Sequence, residues 1–428
     1  VTSNMRFNKE VLVTGFAIFS LFFGAGNLIL PPYLGYLSGT HWLLVTLGFF
    51  ISAVFIPILG VIAHARLQGT MLDFATKIHP VFSTVFCILV YLVSVTLPGP
   101  RTASVTYEMA IEPYFEINSL TSSAIYFGLV LLSALNRSKL LDLLGKYLTP
   151  LLLLILVTII AILCLAEIPI ANDKHITNVV STGILEGYQT YDAIGAIVIG
   201  ALAIISLKIK FKGSSVGEKR KVLFKAAFIA GIGLLLIYTG LIYAGSLFSN
   251  LTEEPSRTDL LTLLSYEALG SSGNIVLSIL VALACFTTAV GVVTGTADFF
   301  QGLNRSNKTI YPLTVTLACI AGIIIGQTGV SYIITIGVPI LAFVYPLVIT
   351  LILLNALPER YASTLVFRVT VLGCIVFSIP EFLESINIET LTPLQQLLPL
   401  SAYGVAWFIP TVVCYALSSV AKLAMKTN

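Results

Sequence analysis

Charge is what this 428-residue sequence has least of. Only 10% of its residues are Asp, Glu, Lys or Arg, where soluble domains carry about 25%. That scarcity excludes an ordinary water-soluble domain. Histidine is also scarce. The four present are scattered and form no HExxH pair, which argues against a metalloenzyme. The six cysteines, Cys87, Cys164, Cys285, Cys319, Cys374 and Cys414, all lie inside apolar runs. Neither a disulfide framework nor a zinc site is built that way, because both need clustered spacings. Without a His or Cys cluster a membrane enzyme lacks its chemistry. An ion channel needs a selectivity filter, usually repeated by oligomer symmetry, and no filter sequence stands out. Nucleic acid is not an expected partner.

What the sequence does have is apolar residues, 57% of the total, with a mean hydropathy of +0.99. A membrane-spanning helix needs about 20 of them in a row. On that basis twelve spans are predicted, at 10–36, 41–65, 80–111, 120–135, 141–166, 178–207, 222–248, 272–301, 309–325, 330–354, 365–386 and 397–421. The first is too long for a signal peptide and is read as a retained span. The lipid bilayer is therefore an expected partner.

Basic residues set the orientation. With the N-terminus in the cytoplasm, the inner loops hold Arg66 and Lys77; Arg137, Lys139 and Lys146; the run from Lys208 to Lys225; Arg305 and Lys308; and Arg360 and Arg368. The tails add Arg6, Lys9, Lys422 and Lys426, making 20 of the 23 basic residues. Outer loops hold only Lys174 and Arg257, beside Glu112, Glu116, Glu253, Glu254, Glu381, Glu384 and Glu389. Both termini are expected to be cytoplasmic. The Lys208–Lys225 loop is either a solvated topology signal or a contact for anionic lipid.

The first span is interrupted. Within Phe16–Pro32, FAIFSLFFGAGNLILPP, the run Gly24-Ala25-Gly26 meets Asn27 at mid-membrane depth. Glycine inside a helix costs about 1 kcal/mol relative to alanine. Backbone freed from its ladder in hydrocarbon costs more unless it lines a cavity or meets protein. Close helix packing explains a lone pair of small residues. Two glycines, an asparagine and Pro31-Pro32 together predict a discontinuous helix whose ends hold a ligand. The N–H groups of Ala25, Gly26 and Asn27 suit a carboxylate. The carbonyls around Ser20 to Phe23 suit a cation.

A second interruption is predicted in the sixth span, where Glu186-Gly187-Tyr188-Gln189-Thr190-Tyr191-Asp192 is polar before an apolar run resumes. Glu186 and Asp192 flank it. Either could hold the break together or meet a substrate ammonium group. Breaks in corresponding segments of two halves point to a transport site. Five spans precede the sixth, so it is the inverted counterpart of the first. No residue-level repeat accompanies this symmetry.

Three further groups are candidates. Thr287 and Thr288 follow Ala284 in the eighth span; their hydroxyls either bond back to the helix or ligate Na⁺. Arg101 and Glu108 are seven residues apart in the third span and share a helix face. They are either a structural ion pair or members of the site or gate. The segment Ser249–Ser271 is expected to carry a short helix, with Leu260, Leu261, Leu263 and Leu264, over the outer face.

FAIFSLFFGAGNLILPP, PGPRTASVTYEM and LEGYQTYDAIGA resemble motifs of the bacterial branched-chain amino acid carrier family, BrnQ-type (LIVCS), of the amino acid–polyamine–organocation superfamily. The resemblance covers essentially the whole chain. Small departures are Tyr191, where Met is expected, and Leu30, where Phe is frequent. It implies an all-α membrane protein with a leucine-transporter-like five-plus-five inverted repeat and discontinuous first and sixth helices. Residues 1–166 would form the first repeat, 167–354 the second, and 355–428 two added helices. The implied activity is Na⁺-coupled import of L-leucine, L-isoleucine and L-valine across the bacterial cell membrane by alternating access. H⁺ coupling is the alternative, and a channel a more distant one. No cofactor is implied beyond the coupling ion. The substrate would meet Gly24, Ala25, Gly26 and Asn27, with Gly187, Tyr188 and Arg101. Na⁺ would meet carbonyls of Ser20, Phe23 and Ala284 and the hydroxyls of Thr287 and Thr288. Asn27 matches one ligand of a second Na⁺ site. Glu108, Glu186 and Asp192 are candidates for gating or coupling.

Overall fold

The computed structural model describes residues 2–136, 140–166, 168, 176–210, 215–251, 254–304 and 306–427. Arg137, Lys139, Lys174, Lys212, Glu253 and Arg305, which entered the loop assignments above, lie outside the described residues. Every regular element among the described residues is helical. In chain order these are α1 (Thr2–Phe22), α2 (Ala25–Ser38), α3 (Trp42–Phe50), α4 (Ile56–Leu67), α5 (Pro80–Thr96), α6 (Pro98–Thr106), α7 (Ser119–Asn136), α8 (Leu140–Leu165) and α9 (Val179–Tyr188). They continue with α10 (Asp192–Lys210), α11 (Val216–Ser246), α12 (Arg257–Leu303), α13 (Ile310–Gly326), α14 (Val330–Ala356), α15 (Thr364–Ser385), α16 (Thr392–Gln396) and α17 (Phe408–Thr427). A π turn at Ile51–Phe55 links α3 to α4, and another at Tyr107–Ile111 extends α6.

Among the described residues, seven helical stretches are long and apolar enough to cross a membrane, and five shorter apolar helices accompany them. Their outer surface is apolar too. Leu154, Leu236 and Leu372 are each 63–66% exposed, as befits side chains that meet lipid rather than water. This is an all-α, multi-pass membrane protein. Helices are forced here because hydrocarbon offers backbone groups no partner outside the segment itself.

Two predicted boundaries differ most. The last helix begins at Phe408, not 397, because residues 397–407 form turns and a short 3₁₀ segment. Helix α12 begins at Arg257, and Gly270 (φ 69°) divides it into a short piece and a long one. Ser256 caps its start by accepting from the Asp259 N–H at 3.1 Å.

The core sits where interrupted helices lie along continuous partners. Both α1 and α2 pack along α11, while α9 packs on α3 and α10 on α4. Small residues permit the approach. A Cβ at Gly35 would fall 1.8 Å from the Ile242 carbonyl oxygen, and one at Gly245 1.9 Å from that of Pro32. The same reciprocity joins Gly48 to Val180 and Gly183 to Val45. Side-chain bulk at any of these four would push two backbones apart. The ends of α4, α14 and α17 share one face of the bundle with the start of α11: Arg66 bonds the Ala356 carbonyl, Arg220 lines a cavity with both segments, and Lys422 donates to the Arg360 carbonyl at 2.7 Å. This is called the terminal face below.

Candidate functional site

The helix ends at Phe22 and restarts at Ala25. Gly24 is extended (φ −106°, ψ −171°), and its N–H turns to the Phe22 carbonyl at 2.9 Å instead of continuing the ladder. The Asn27 N–H donates to the Gly24 carbonyl at 3.1 Å. Of the three N–H groups expected to be free, that of Asn27 is therefore used, because it closes the first turn of α2. The Asn27 side chain does the longer-range work. Its Nδ2 donates to Asp192 Oδ2 at 2.6 Å and to the Tyr238 hydroxyl.

The second interruption runs from Gln189 to Tyr191. No glycine makes it. Tyr191 adopts φ 62°, a left-handed conformation uncommon for a bulky residue. The Thr190 hydroxyl donates to the Gly187 carbonyl at 2.8 Å and accepts from the Asp192 N–H at 3.2 Å, fastening both sides of the gap. Asp192 opens α10, where a helix N-terminus favours a carboxylate.

Arg101 joins the two breaks. It lies in α6 and is 2% exposed. Its Nη1 donates to the Gln189 carbonyl at 2.7 Å, and its guanidinium lies 5.1 Å from the centre of the Tyr191 ring. A Cβ at Gly26 would fall 2.1 Å from Nη2. Gly26 thus makes room for the guanidinium against the start of α2. Among the described residues, Arg101 Nε has no hydrogen-bond partner. Between the breaks lies a cavity of about 110 Å³, which Gly24, Gly26, Asn27, Arg101, Thr190 and Asp192 help to line. Leu21, Phe22, Ile199 and Val292 supply apolar surface.

The other candidates divide. The Thr287 and Thr288 hydroxyls bond back to the Ala284 carbonyl at 2.9 and 3.0 Å. Thr288 also lines the cavity, with its Oγ1 3.8 Å from where a Cβ of Gly24 would be. Gly187 and Tyr188 do not reach the cavity. Gly187 abuts Ser52, its carbonyl already engaged by Thr190, and the Tyr188 ring stacks on Tyr345 at 4.3 Å.

Arg101 and Glu108 form no pair. Glu108 accepts from the Thr258 hydroxyl at 2.6 Å and the Val330 N–H at 2.8 Å, at the face opposite the terminal one. Glu186 is likewise drawn away from the break, by Arg257 at 2.9 Å. Arg257 covers the Tyr33 ring at 4.3 Å, and the Tyr33 hydroxyl donates to Glu254 at 2.6 Å. The short helix before Gly270 is thus tied down over the far face. Tyr238 and Gln189 were missed from sequence. A tyrosine hydroxyl deep in an apolar helix that needs a partner was the available signal for Tyr238; a backbone carbonyl carries none.

Two interrupted helices that meet at a buried polar cavity are the pattern of a secondary transporter's binding site, and the fold has solved counterparts. Over 97% of this chain and 93% of the other, it is similar to MHP1, a nucleobase-cation-symport-1 family transporter solved in a closed conformation with bromovinylhydantoin bound (TM-score 0.63, 12% identity). A Na⁺-coupled sialic acid symporter in a substrate-bound outward-open state matches over 97% and 98%, with a TM-score of 0.51 and 14% identity. The chain belongs to the branched-chain amino acid transport protein family, whose model matches residues 7–425. It is 34% identical to the branched-chain amino acid permease BraB of Bacillus subtilis (strain 168) over 95% of this chain and 94% of that protein. To the permease BrnQ of Corynebacterium glutamicum it is 32% identical over 96% and 94%. The family is one of transporters, not of enzymes.

Proposed function

We propose that the protein imports leucine, isoleucine and valine in symport with Na⁺, by alternating access at the cavity between the two breaks. The observation that carries this reading is the joining of the breaks by Asn27 to Asp192 and by Arg101 to the Gln189 carbonyl. A zwitterion needs a cationic and an anionic partner close together, and Arg101 and Asp192 are those partners. The carboxylate meets Arg101 and the backbone of Ala25 and Gly26. The ammonium meets Asp192 and the carbonyls of the second break. Phe22, Ile199 and Val292 receive the branched side chain.

Twelve spans follow if α1 with α2, and α9 with α10, are each counted as one broken span. Residues 1–166 and 167–354 then form inverted repeats, and 355–428 the added pair. Support comes from the packing, since each broken helix lies along a continuous neighbour: α11 for the first, α3 with α4 for the second. Both termini are cytoplasmic, and Glu108, Glu186 and Arg257 secure the outer side. Na⁺ is held by carbonyls of Ser20, Phe23 and Ala284 with Thr287 and Thr288, Thr288 being nearest the break; Asn27 borders the substrate.

In a proton-coupled carrier the proton would have to ride on Asp192, the carboxylate among the described cavity residues. Uptake of labelled leucine into proteoliposomes, with Na⁺ and H⁺ gradients imposed separately, decides the matter. Accumulation driven by Na⁺ alone is expected. Accumulation driven only by H⁺ would replace the Na⁺ reading, and failure under both would remove the symport claim.

A further inference from the structure

A second, separate cavity opens on the terminal face. It measures about 340 Å³, and Arg66, Lys77, Arg220, Asn355, Leu357 and Glu359 help to line it. Three cations thus converge with one carboxylate. None of the three belongs to an ion pair among the described residues. Arg66 bonds the Ala356 carbonyl, and Lys77 approaches the Ala362 carbonyl at 3.4 Å and the Phe367 ring centre at 5.0 Å. Arg220 is exposed and makes no described hydrogen bond. Like charges gathered around one cavity repel unless an anion sits among them.

An apolar groove of about 430 Å³ adjoins it, between α4, α14, α15 and α17. Leu357 lines both spaces, and Ala356, whose carbonyl holds Arg66, lines the groove. The groove opens to lipid, with Phe408 and Val412 on its wall 39% and 46% exposed. It is not uniformly apolar. Thr370 and Trp407 also line it; each is 3% exposed, and the Thr370 hydroxyl has no hydrogen-bond partner among the described residues.

A cationic cavity at the membrane surface, continuous with an apolar groove at hydrocarbon depth, has the two-part shape of a single amphiphile. We propose that it binds an anionic phospholipid, with the phosphate among Arg66, Lys77 and Arg220 and an acyl chain along the groove beside Val412. A soluble anion would satisfy the cations and leave the groove unused. A zwitterionic lipid would use the groove and leave the cations uncompensated. The cytoplasmic leaflet is where anionic lipid concentrates and where basic cavities between helices recognise it, so the choice of leaflet rests on the orientation proposed above. The binding itself does not.

The test is native mass spectrometry of the full purified chain, offered equal amounts of phosphatidylglycerol and phosphatidylcholine. Preferential retention of phosphatidylglycerol is expected. Arg220→Gln removes an exposed, unpartnered cation and is expected to cut that retention about fivefold. Val412→Trp narrows the groove and is expected to cut it as well, while millimolar inorganic phosphate does not compete. Thermal stability in phosphatidylcholine should match wild type for both variants; if either is unstable, Lys77→Gln or Val412→Phe takes its place. Equal retention of the two lipids, or variants that bind like wild type, would overturn the proposal. So would displacement by inorganic phosphate with no effect of Val412→Trp, which would identify a soluble-anion site.

Discussion

The two breaks that meet at the cavity are built by opposite means. The first is made by absence: glycine at 24 and 26 removes side chains, Gly24 adopts an extended conformation, and Asn27 reaches out from the new helix end. The second is made by presence. It contains no glycine, and Thr190 and Tyr191 hold it open with a hydroxyl bridge and a left-handed tyrosine. Absence leaves room for a neighbour, and Arg101 takes that room beside Gly26. Presence fixes a carbonyl, that of Gln189, for the same arginine to bond. The first break is the receiving surface and the second is the preset one.

Removing the group that spans both should have the largest effect. Arg101→Ala deletes a charge-assisted bond and the cavity's cation. Hydrogen bonds to charged groups are worth about 1.5–3 kcal/mol, so leucine binding should weaken roughly a hundredfold by equilibrium binding on purified protein. Normal affinity would show that the two breaks do not act through Arg101. Asn27→Ala comes next. It removes the donor to Asp192 and Tyr238 while leaving Arg101 in place. A loss of about ten- to thirtyfold is expected, and an effect under about twofold would detach the first break from the second.

Gly24→Ala should do least. A Cβ there meets nothing closer than 3.7 Å, and its φ of −106° is open to any residue. Affinity should hold within about twofold, and stability should rise by about 0.5 kcal/mol as the unfolded chain loses freedom. A large loss would mean that both glycines, not Gly26 alone, are required by the site.

The contrast between the breaks also explains what could be read from the sequence. Most spans were legible because apolar length alone defines them, and the run 80–111 ends where expected. The first break was visible because glycine and asparagine are conspicuous in hydrocarbon. The second showed only as polarity, which located the gap but not its contacts: Gly187 and Tyr188, expected at the substrate, turn to Ser52 and Tyr345. Spacing along one helix suggested that Arg101 faces Glu108. Tertiary partners decided otherwise, since Thr258 and Val330 hold the glutamate while the cavity holds the arginine. The late start of α17 was hidden because residues 397–407 are apolar enough to pass for helix. No one-dimensional pattern says that Gly26 is glycine because a guanidinium from α6 lies against it.

That contact is the account's central claim, and Gly26→Ala tests it most directly. Leucine affinity and thermal stability should be measured together on the purified variant. The added methyl group must displace the far end of Arg101, which is flexible, so the fold should survive. Affinity should fall at least about tenfold, a loss of about 1.4 kcal/mol. Unchanged leucine affinity would contradict the account, as would lost stability with affinity intact in the folded fraction, for Gly26 would then serve helix packing and the first break would lie outside the site.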